Sequence, residues 1–242
     1  MMYGKKDILA MTNPAEVTKL YAGNVAHFLD QDEFVHIAKL LNAFWQHDGD
    51  MSKPHVELTN GAHSNGFINT LEVLSYSNLL HLFTLRLLEV VRELRIDLGF
   101  NKKIDWVVGS DHAAAALAVH TAFLLGARCD FTEKGPNKTQ LWKRFTIGPE
   151  ETVLHVEELI TTFGTYEAVR TGIHDAHPHK INFIPLTALV DRTLDGPIQS
   201  RHQMASVYRF EMRNWPPEEC PLCKEGSVAI RKPKLNWAQL TG

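Results

Sequence analysis

TVLHVEELITTFGTYEAV (Thr152–Val169) is an apolar run that ends in adjacent carboxylates, Glu157 and Glu158, then turns through threonines and a glycine into a helical stretch. In parallel α/β sheets, ligands bind beyond the carboxyl ends of the strands, so a strand–turn–helix junction of this kind is where a site belongs. Backbone N–H groups of the turn and helix N-terminus, helped by the helix dipole, can cradle a phosphate. The hydroxyls of Thr161, Thr162 and Thr165 add neutral donors around Gly164. Carboxylates beside a phosphate cradle need partners of their own, either sugar hydroxyls that donate to them or a metal. The plain alternative is a junction with a solvated acidic pair.

Outward from this stretch the chain alternates as βαβ units do. Upstream, Ile104–Val108 reads as a strand, Ala113–Leu125 as an Ala-rich helix and Ala127–Phe131 as a second strand. Thr132–Lys143 is polar and has no clear period. Thr152–Val156 is the third strand and Thr165–Ala176 the helix after it. Ile181–Val190 is a fourth strand that Pro185 should bend or divide. Further upstream, Leu71–Leu98 reads as one long amphipathic helix stopped by Gly99. Asn13–His47 reads as helical, because Val17, Leu20, Tyr21, Val25, Phe28 and Leu29 fall at helical spacing. Asn60-Gly61 and Asn65-Gly66 mark tight turns, and Ala205–Met212 alternates. No repeat or linker divides the chain. The expectation is one α/β domain, with residues 1–70 as N-terminal helices and hood, 71–192 as core and 193–242 as a C-terminal extension.

At 242 residues, 44% of them apolar and 22% charged, the composition is that of a globular domain with a sizeable core. A net charge of −3 argues against a dedicated nucleic-acid binder and leaves a small anionic ligand open. Three cysteines do not make a disulfide framework. No signal peptide is read at the N-terminus, and no apolar run of about eighteen residues would span a membrane. The expectation is a cytoplasmic chain without membrane or nucleic-acid partners.

Val153–Thr165 resembles the signature of type I phosphoribosyltransferases: apolar strand, two acids, two apolar residues, then Thr-Thr-Gly-x-Thr/Ser. DWVVGSDHAAAALA (Asp105–Ala118) is similar to that family's pyrophosphate loop. FTEKGPNKTQLWKRF (Phe131–Phe145) resembles the lysine-bearing mobile loop of its orotate branch. Val56–Asn69, with Gly61, Ser64 and Phe67, resembles the segment near the base, and ALVDR (Ala188–Arg192) the strand end whose arginine meets orotate. Together these cover roughly residues 56 to 192.

The resemblance implies the type I phosphoribosyltransferase fold, a mainly parallel sheet flanked by helices, with a small hood from both ends of the chain. It implies transfer of a phosphoribosyl group from phosphoribosyl pyrophosphate to a nucleobase, with Mg²⁺ held through the ligand rather than by a side-chain cluster. Glu157 and Glu158 would take the ribose hydroxyls. Thr161, Thr162, Gly164 and Thr165 would take the 5′-phosphate, and Ser110, Asp111 and His112 the pyrophosphate. Lys134 or Lys138 would close over the leaving group, Phe67 would lie near the base, and Arg192 would pair with its carboxylate. A homodimer is implied as well.

The sequence also departs from the pattern. Phe163 stands where the first loop glycine belongs; at positive φ a non-glycine residue costs about 1–2 kcal/mol. Asp111 would repel a pyrophosphate unless a metal or a lysine intervenes. Thr59 replaces a lysine, and Glu133 a basic residue. These changes keep a second reading open, a non-catalytic member that binds a nucleotide or phosphoribosyl ligand as a sensor. Cys220-Pro221-Leu222-Cys223 has the spacing of half a zinc knuckle but no second cysteine pair, and is read as a turn with two reduced thiols. His174, His177 and His179 follow a helix C-terminus and are read as capping or exposed.

Overall fold

The chain starts with short helices tied by their caps. The computed structural model describes residues 1–193 and 204–241; the first part of the expected C-terminal extension, residues 194–203, and residue 242 lie outside the described residues. After α1 (Lys5–Leu9), Asn13 caps α2 (Pro14–Val17) by accepting from the Ala15 amide, and Asp30 caps α3 (Gln31–Leu40) through the Glu33 amide. The continuous helix expected over Asn13–His47 is therefore broken between α2 and α3. Asn24 diverts the backbone there, its side chain accepting from the Tyr21 amide at 2.8 Å and donating to the Lys19 carbonyl at 2.8 Å. Val17, Leu20, Val25 and Leu29 are still buried, so their spacing reported burial without helix. Phe44 leaves the helical pattern as well and opens β1 (Phe44–Gln46).

The strands β2 (His55–Glu57), β3 (His63–Ser64) and β4 (Gly66–Ile68) follow, turned by Gly61 at φ +83°. The single helix expected over Leu71–Leu98 is two, α4 (Thr70–Leu74) and α5 (Ser77–Asp97), with the Ser75 hydroxyl donating back to the Glu72 carbonyl at the break. Gly99, at φ +60°, ends α5 as expected.

Next come β5 (Trp106–Gly109), α6 (Ala113–Leu125) and β6 (Arg128–Phe131). The polar stretch without a period folds as a hairpin, β7 (Glu133–Lys134) and β8 (Gln140–Leu141), joined by a 3₁₀ turn. Then follow β9 (Thr152–Ile160), longer than expected, and α7 (Gly164–Asp175). The strand around Pro185 is divided into β10 (Asn182–Phe183) and β11 (Leu186–Asp191). The chain continues with β12 (Met204–Arg209), β13 (Asn214–Trp215), α8 (Pro221–Lys224), β14 (Ala229–Arg231) and α9 (Trp237–Thr241).

The main sheet runs β12-β11-β9-β5-β6, parallel at every pairing, with β10 also beside β9. Counted along the chain, its order is the doubly wound one that reverses direction between the first and third core strands. That switch point lies between β5 and β9. One face carries Val107, Leu154 and Val156 against Leu82, Leu117 and Phe83 of the helices; the other carries Trp106, Val108 and Val153 against Val169 and Ile173 of α7. A separate small sheet, β13-β3-β2-β14, is built from both ends of the described chain and forms the hood. Among the described residues, no helix is long and apolar enough to cross a membrane.

Candidate active site

The carboxyl ends of β5 and β9, which flank the switch point, carry several of the side chains that the sequence singled out. Gly109 ends β5, and a Cβ there would stand 2.9 Å from the Ala114 carbonyl, so only glycine lets α6 start this close. Ser110 follows, buried, and its amide and hydroxyl donate to the two carboxylate oxygens of Glu157 at 3.1 and 2.7 Å. His155, fully buried, places Nε2 2.8 Å from the same carboxylate. Its ring stacks on Tyr166 of α7 at 5.6 Å. Glu157 is thus occupied inside the protein and ties the loop after β5 to β9.

Glu158, next along β9, carries its side chain on the other side of the strand from Glu157. Burial raises its pKa to about 7, and the charges of Glu157 and Asp111 push in the same direction. Asp111 is met by Lys134, whose Nζ lies 3.3 Å from its carboxylate. The acid that would repel a pyrophosphate thus has a lysine beside it, carried there by the β7–β8 hairpin. Lys138 lies farther along the hairpin turn, at φ +63°, and lines a hollow with Gly164 and Glu167 of α7. Glu133 is bound by Lys143 at 2.9 Å and by Arg144. His112 is exposed at φ +64°, ψ −110°, a conformation that costs an L-residue about 1–3 kcal/mol.

Beyond Ile160, Thr161, Thr162, Gly164 and Thr165 are exposed and lead into α7, which opens without a side-chain cap. Phe163 sits at φ −79°, so the strain that positive φ would bring is absent. Its ring packs edge-on against Tyr166 with centroids 5.9 Å apart, and joins the apolar cluster of Leu186 and Ala188.

Arg192 follows β11, which runs beside β9, and its amide bonds the Ile160 carbonyl at 2.8 Å. Its guanidinium is buried and reaches only neutral acceptors: Ser64 Oγ at 3.3 Å, the Gly66 carbonyl at 3.4 Å and Asn214 Oδ1 at 3.5 Å. Its Nε has no partner, and no carboxylate among the described residues pairs with it. Burial lowers its pKa to about 10. Phe67, on β4 next to Gly66, is half-buried with its ring 6.2 Å from that of Trp237.

Sequence reasoning missed His155, Glu157's internal role and Asn214. The alternation His155-Val156-Glu157 was the available signal for the first two; nothing local marked Asn214. His177 binds the Ile147 amide and Ile173 carbonyl, and His179 the Ile147 carbonyl, a structural role. Among the described residues the fold also brings the pair His55 and His63 beside the pair Cys220 and Cys223, a grouping of four potential metal ligands that the Cys-x-x-Cys spacing alone did not supply.

No protein-family model matches the chain. It is 32% identical over 177 residues to the orotate phosphoribosyltransferase of Heliobacterium modesticaldum, a match covering 73% of this chain and 87% of the relative. It is 30% identical over 181 residues to that of Caldanaerobacter subterraneus subsp. tengcongensis, covering 75% and 89%. The fold is similar to the crystal structure of orotate phosphoribosyltransferase from Aeropyrum pernix, with a TM-score of 0.54 at 16% identity over 74% of this chain and 94% of that one.

Proposed function

The chain belongs to the orotate phosphoribosyltransferase family, and from that premise we propose that it moves a 5-phosphoribosyl group from phosphoribosyl pyrophosphate to orotate, releasing pyrophosphate. The observation that carries the choice of base is Arg192, a buried cation that meets no acid among the described residues, at the end of β11 beside β9. A planar guanidinium with only neutral acceptors among the described residues suits a carboxylate-bearing ring, which would supply an opposite charge.

In the reaction the bond from ribose C1 to the pyrophosphate oxygen breaks and a bond from C1 to a ring nitrogen forms. Positive charge develops on the sugar while negative charge leaves with the pyrophosphate, so catalysis asks for fixed charges and exclusion of water more than for a nucleophile. Glu158 accepts from a ribose hydroxyl and, once ionised, favours the cationic ring. Glu157 acts through Ser110, fixing the loop that faces the leaving group. Lys134 moves from Asp111 to the pyrophosphate, and Lys138 adds charge from the hairpin turn. Thr161, Thr162, Gly164 and Thr165 hold the 5′-phosphate at the α7 N-terminus. His112 and Phe67 flank the pyrophosphate and base ends.

The carboxylates of Asp111, Glu157 and Glu158 gather at this end of the sheet; burial first, and then the neighbouring charges, raise the pKa of Glu158, and a divalent cation would favour its ionised form. Mg²⁺ fits that donor set. It would be held through the ligand's own oxygens, with Asp111 and Glu158 facing it, and would neutralise charge on the pyrophosphate. The working form we propose is a cytoplasmic homodimer.

Titration calorimetry with phosphoribosyl pyrophosphate and Mg²⁺, followed by an orotate turnover assay, tests the reading. Binding with turnover is expected. Binding without turnover would mark a sensor instead, and loss of both would remove the reading.

A further inference from the structure

The hood holds a second cluster of chemistry that the transferase reading does not use. His55 lies on β2, His63 on β3, and Cys220 and Cys223 flank the first turn of α8. Their four ligand atoms all lie within 4.8 Å of one another. Nε2 of His55 is 3.0 Å from Nδ1 of His63, 3.6 Å from Sγ of Cys220 and 3.5 Å from Sγ of Cys223; the Cys223 sulfur is 3.2 Å from Nδ1 of His63.

Zinc bonds of about 2.3 Å to sulfur and 2.0–2.1 Å to nitrogen, at tetrahedral angles, put neighbouring ligand atoms about 3.3–3.8 Å apart. Those four separations run from slightly short to within that range, and all the ligand atoms stay within 4.8 Å of one another. We propose that His55, His63, Cys220 and Cys223 bind one zinc ion in a closed tetrahedral site that fastens the C-terminal segment to the hood hairpin.

The surroundings of His55 supply an independent argument. Its Nδ1 lies 2.8 Å from Ser227 Oγ, and the single hydroxyl proton of Ser227 is already donated to the Lys53 carbonyl at 2.7 Å. Ser227 can therefore only accept from the ring. Nδ1 carries the proton, and the lone pair sits on Nε2, aimed at the two sulfurs and at His63. Metal-binding histidines are commonly held in this way, with the second nitrogen donating to an outer group.

The chemistry of the four donors selects the metal. Two thiolates and two imidazoles in a tetrahedron suit zinc better than magnesium or calcium, which take oxygen. Binding releases one proton from each thiol, and two thiolates then cancel the two positive charges of the ion, leaving a neutral centre fit for a buried place. Four protein ligands leave no open position, so the ion is structural and not a catalyst. The spacing also explains why one Cys-x-x-Cys pair suffices: the other half of the site is a hairpin, with Glu57 and His63 directly opposed across it.

The site also bears on the base pocket. His63 precedes Ser64, whose hydroxyl accepts from Arg192 and lies 2.9 Å from both the Gly66 and the Arg213 carbonyl, either of which takes its one proton. A clamp on β3 therefore fixes one wall of the pocket around the unpaired guanidinium.

Metal analysis of the full-length protein, purified without chelator and with no substrate present, tests this separately from any transferase activity. One zinc per chain is expected. Replacement by Co²⁺ should give the visible bands of a tetrahedral ion and a thiolate-to-cobalt charge-transfer band. Cys223→Ser should reduce that band, and Ser227→Ala, which leaves all four ligands in place, should weaken zinc affinity about 10–100-fold. Should Cys223→Ser fail to fold, the cobalt spectrum of the unaltered chain still decides. A folded chain that takes up no stoichiometric zinc, or whose cobalt form lacks the thiolate band, overturns the proposal.

Discussion

Arg192→Met should make the protein more stable and leave it unable to use orotate. The guanidinium is 6% exposed, and burial lowers its pKa from 12.5 to about 10. At about 1.4 kcal/mol per pKa unit, keeping the charge inside costs on the order of 3 kcal/mol. The three donor contacts, at 3.3, 3.4 and 3.5 Å, are at the edge of hydrogen-bond distance. They return on the order of 0.5 kcal/mol each. Methionine fills a similar volume without charge, so the net gain should be about 1–2 kcal/mol. In a chain of this size that raises Tm by about 3–6 °C. Bound orotate reverses the sign, because its carboxylate would then be buried without a partner. Breaking such a pair costs about 3–5 kcal/mol, a fall in kcat/KM for orotate on the order of 10²–10³ or more. Calorimetric melting of the ligand-free variant and steady-state turnover read the two effects. A variant that melts below the parent refutes the unpaired-charge reasoning, and one that keeps kcat/KM within tenfold refutes the base contact.

Because Glu158 must be ionised to accept from ribose and its pKa is raised to about 7, kcat/KM should fall as pH drops through 7, read from a pH–rate profile. The raised value also means that ionising Glu158 opposes folding, so Glu158→Gln should gain stability relative to the parent above pH 7, measured by urea unfolding. Glu157→Gln removes a neighbouring charge and should move the acid limb to lower pH, while loosening Ser110 raises KM for phosphoribosyl pyrophosphate. Lys134→Ala should lower kcat about 10–100-fold and leave Tm within a degree or two, because the lysine is 64% exposed and surface ion pairs contribute about 0–1 kcal/mol. Phe163→Gly should bring no gain in phosphoribosyl pyrophosphate affinity by calorimetry, since φ −79° carries no strain to relieve, and should lose about 1 kcal/mol or more with the Tyr166 contact.

What the sequence disclosed followed the range of the forces involved. The strand ending in Glu157 and Glu158, the helix from Ala113 to Leu125 and the stop at Gly99 are local, and periodicity or backbone freedom records them directly. The division of Ile181–Val190 was readable because proline cannot donate to a ladder. Asn13–His47 was misread because a side-chain amide, Asn24, outcompeted a helical spacing that burial alone explains. The lysine beside Asp111 could be named as a requirement but not located, since the hairpin that carries it has no period of its own. The strain expected at Phe163 fell away once its φ was known.

The hood shows why the remaining part of the site escaped. Its strands β2, β3, β13 and β14 are two or three residues long and come from both ends of the described chain. Of their apolar residues only Val56 is buried. So small a sheet offers little apolar burial against the entropy of joining distant segments. Yet this sheet supplies Ser64 and Asn214 to Arg192, and a buried guanidinium that meets only neutral acceptors among the described residues keeps its place only if those partners are held firmly. A metal clamp answers both needs, since its binding energy becomes folding energy where hydrophobic burial is thin. Half of that clamp is written as Cys-x-x-Cys and half as two histidines eight residues apart that no local pattern joins. The residues proposed to recognise a base and those proposed to clamp the hood thus meet at β3, where His63 lies beside the Cys223 thiol and Ser64 beside the arginine.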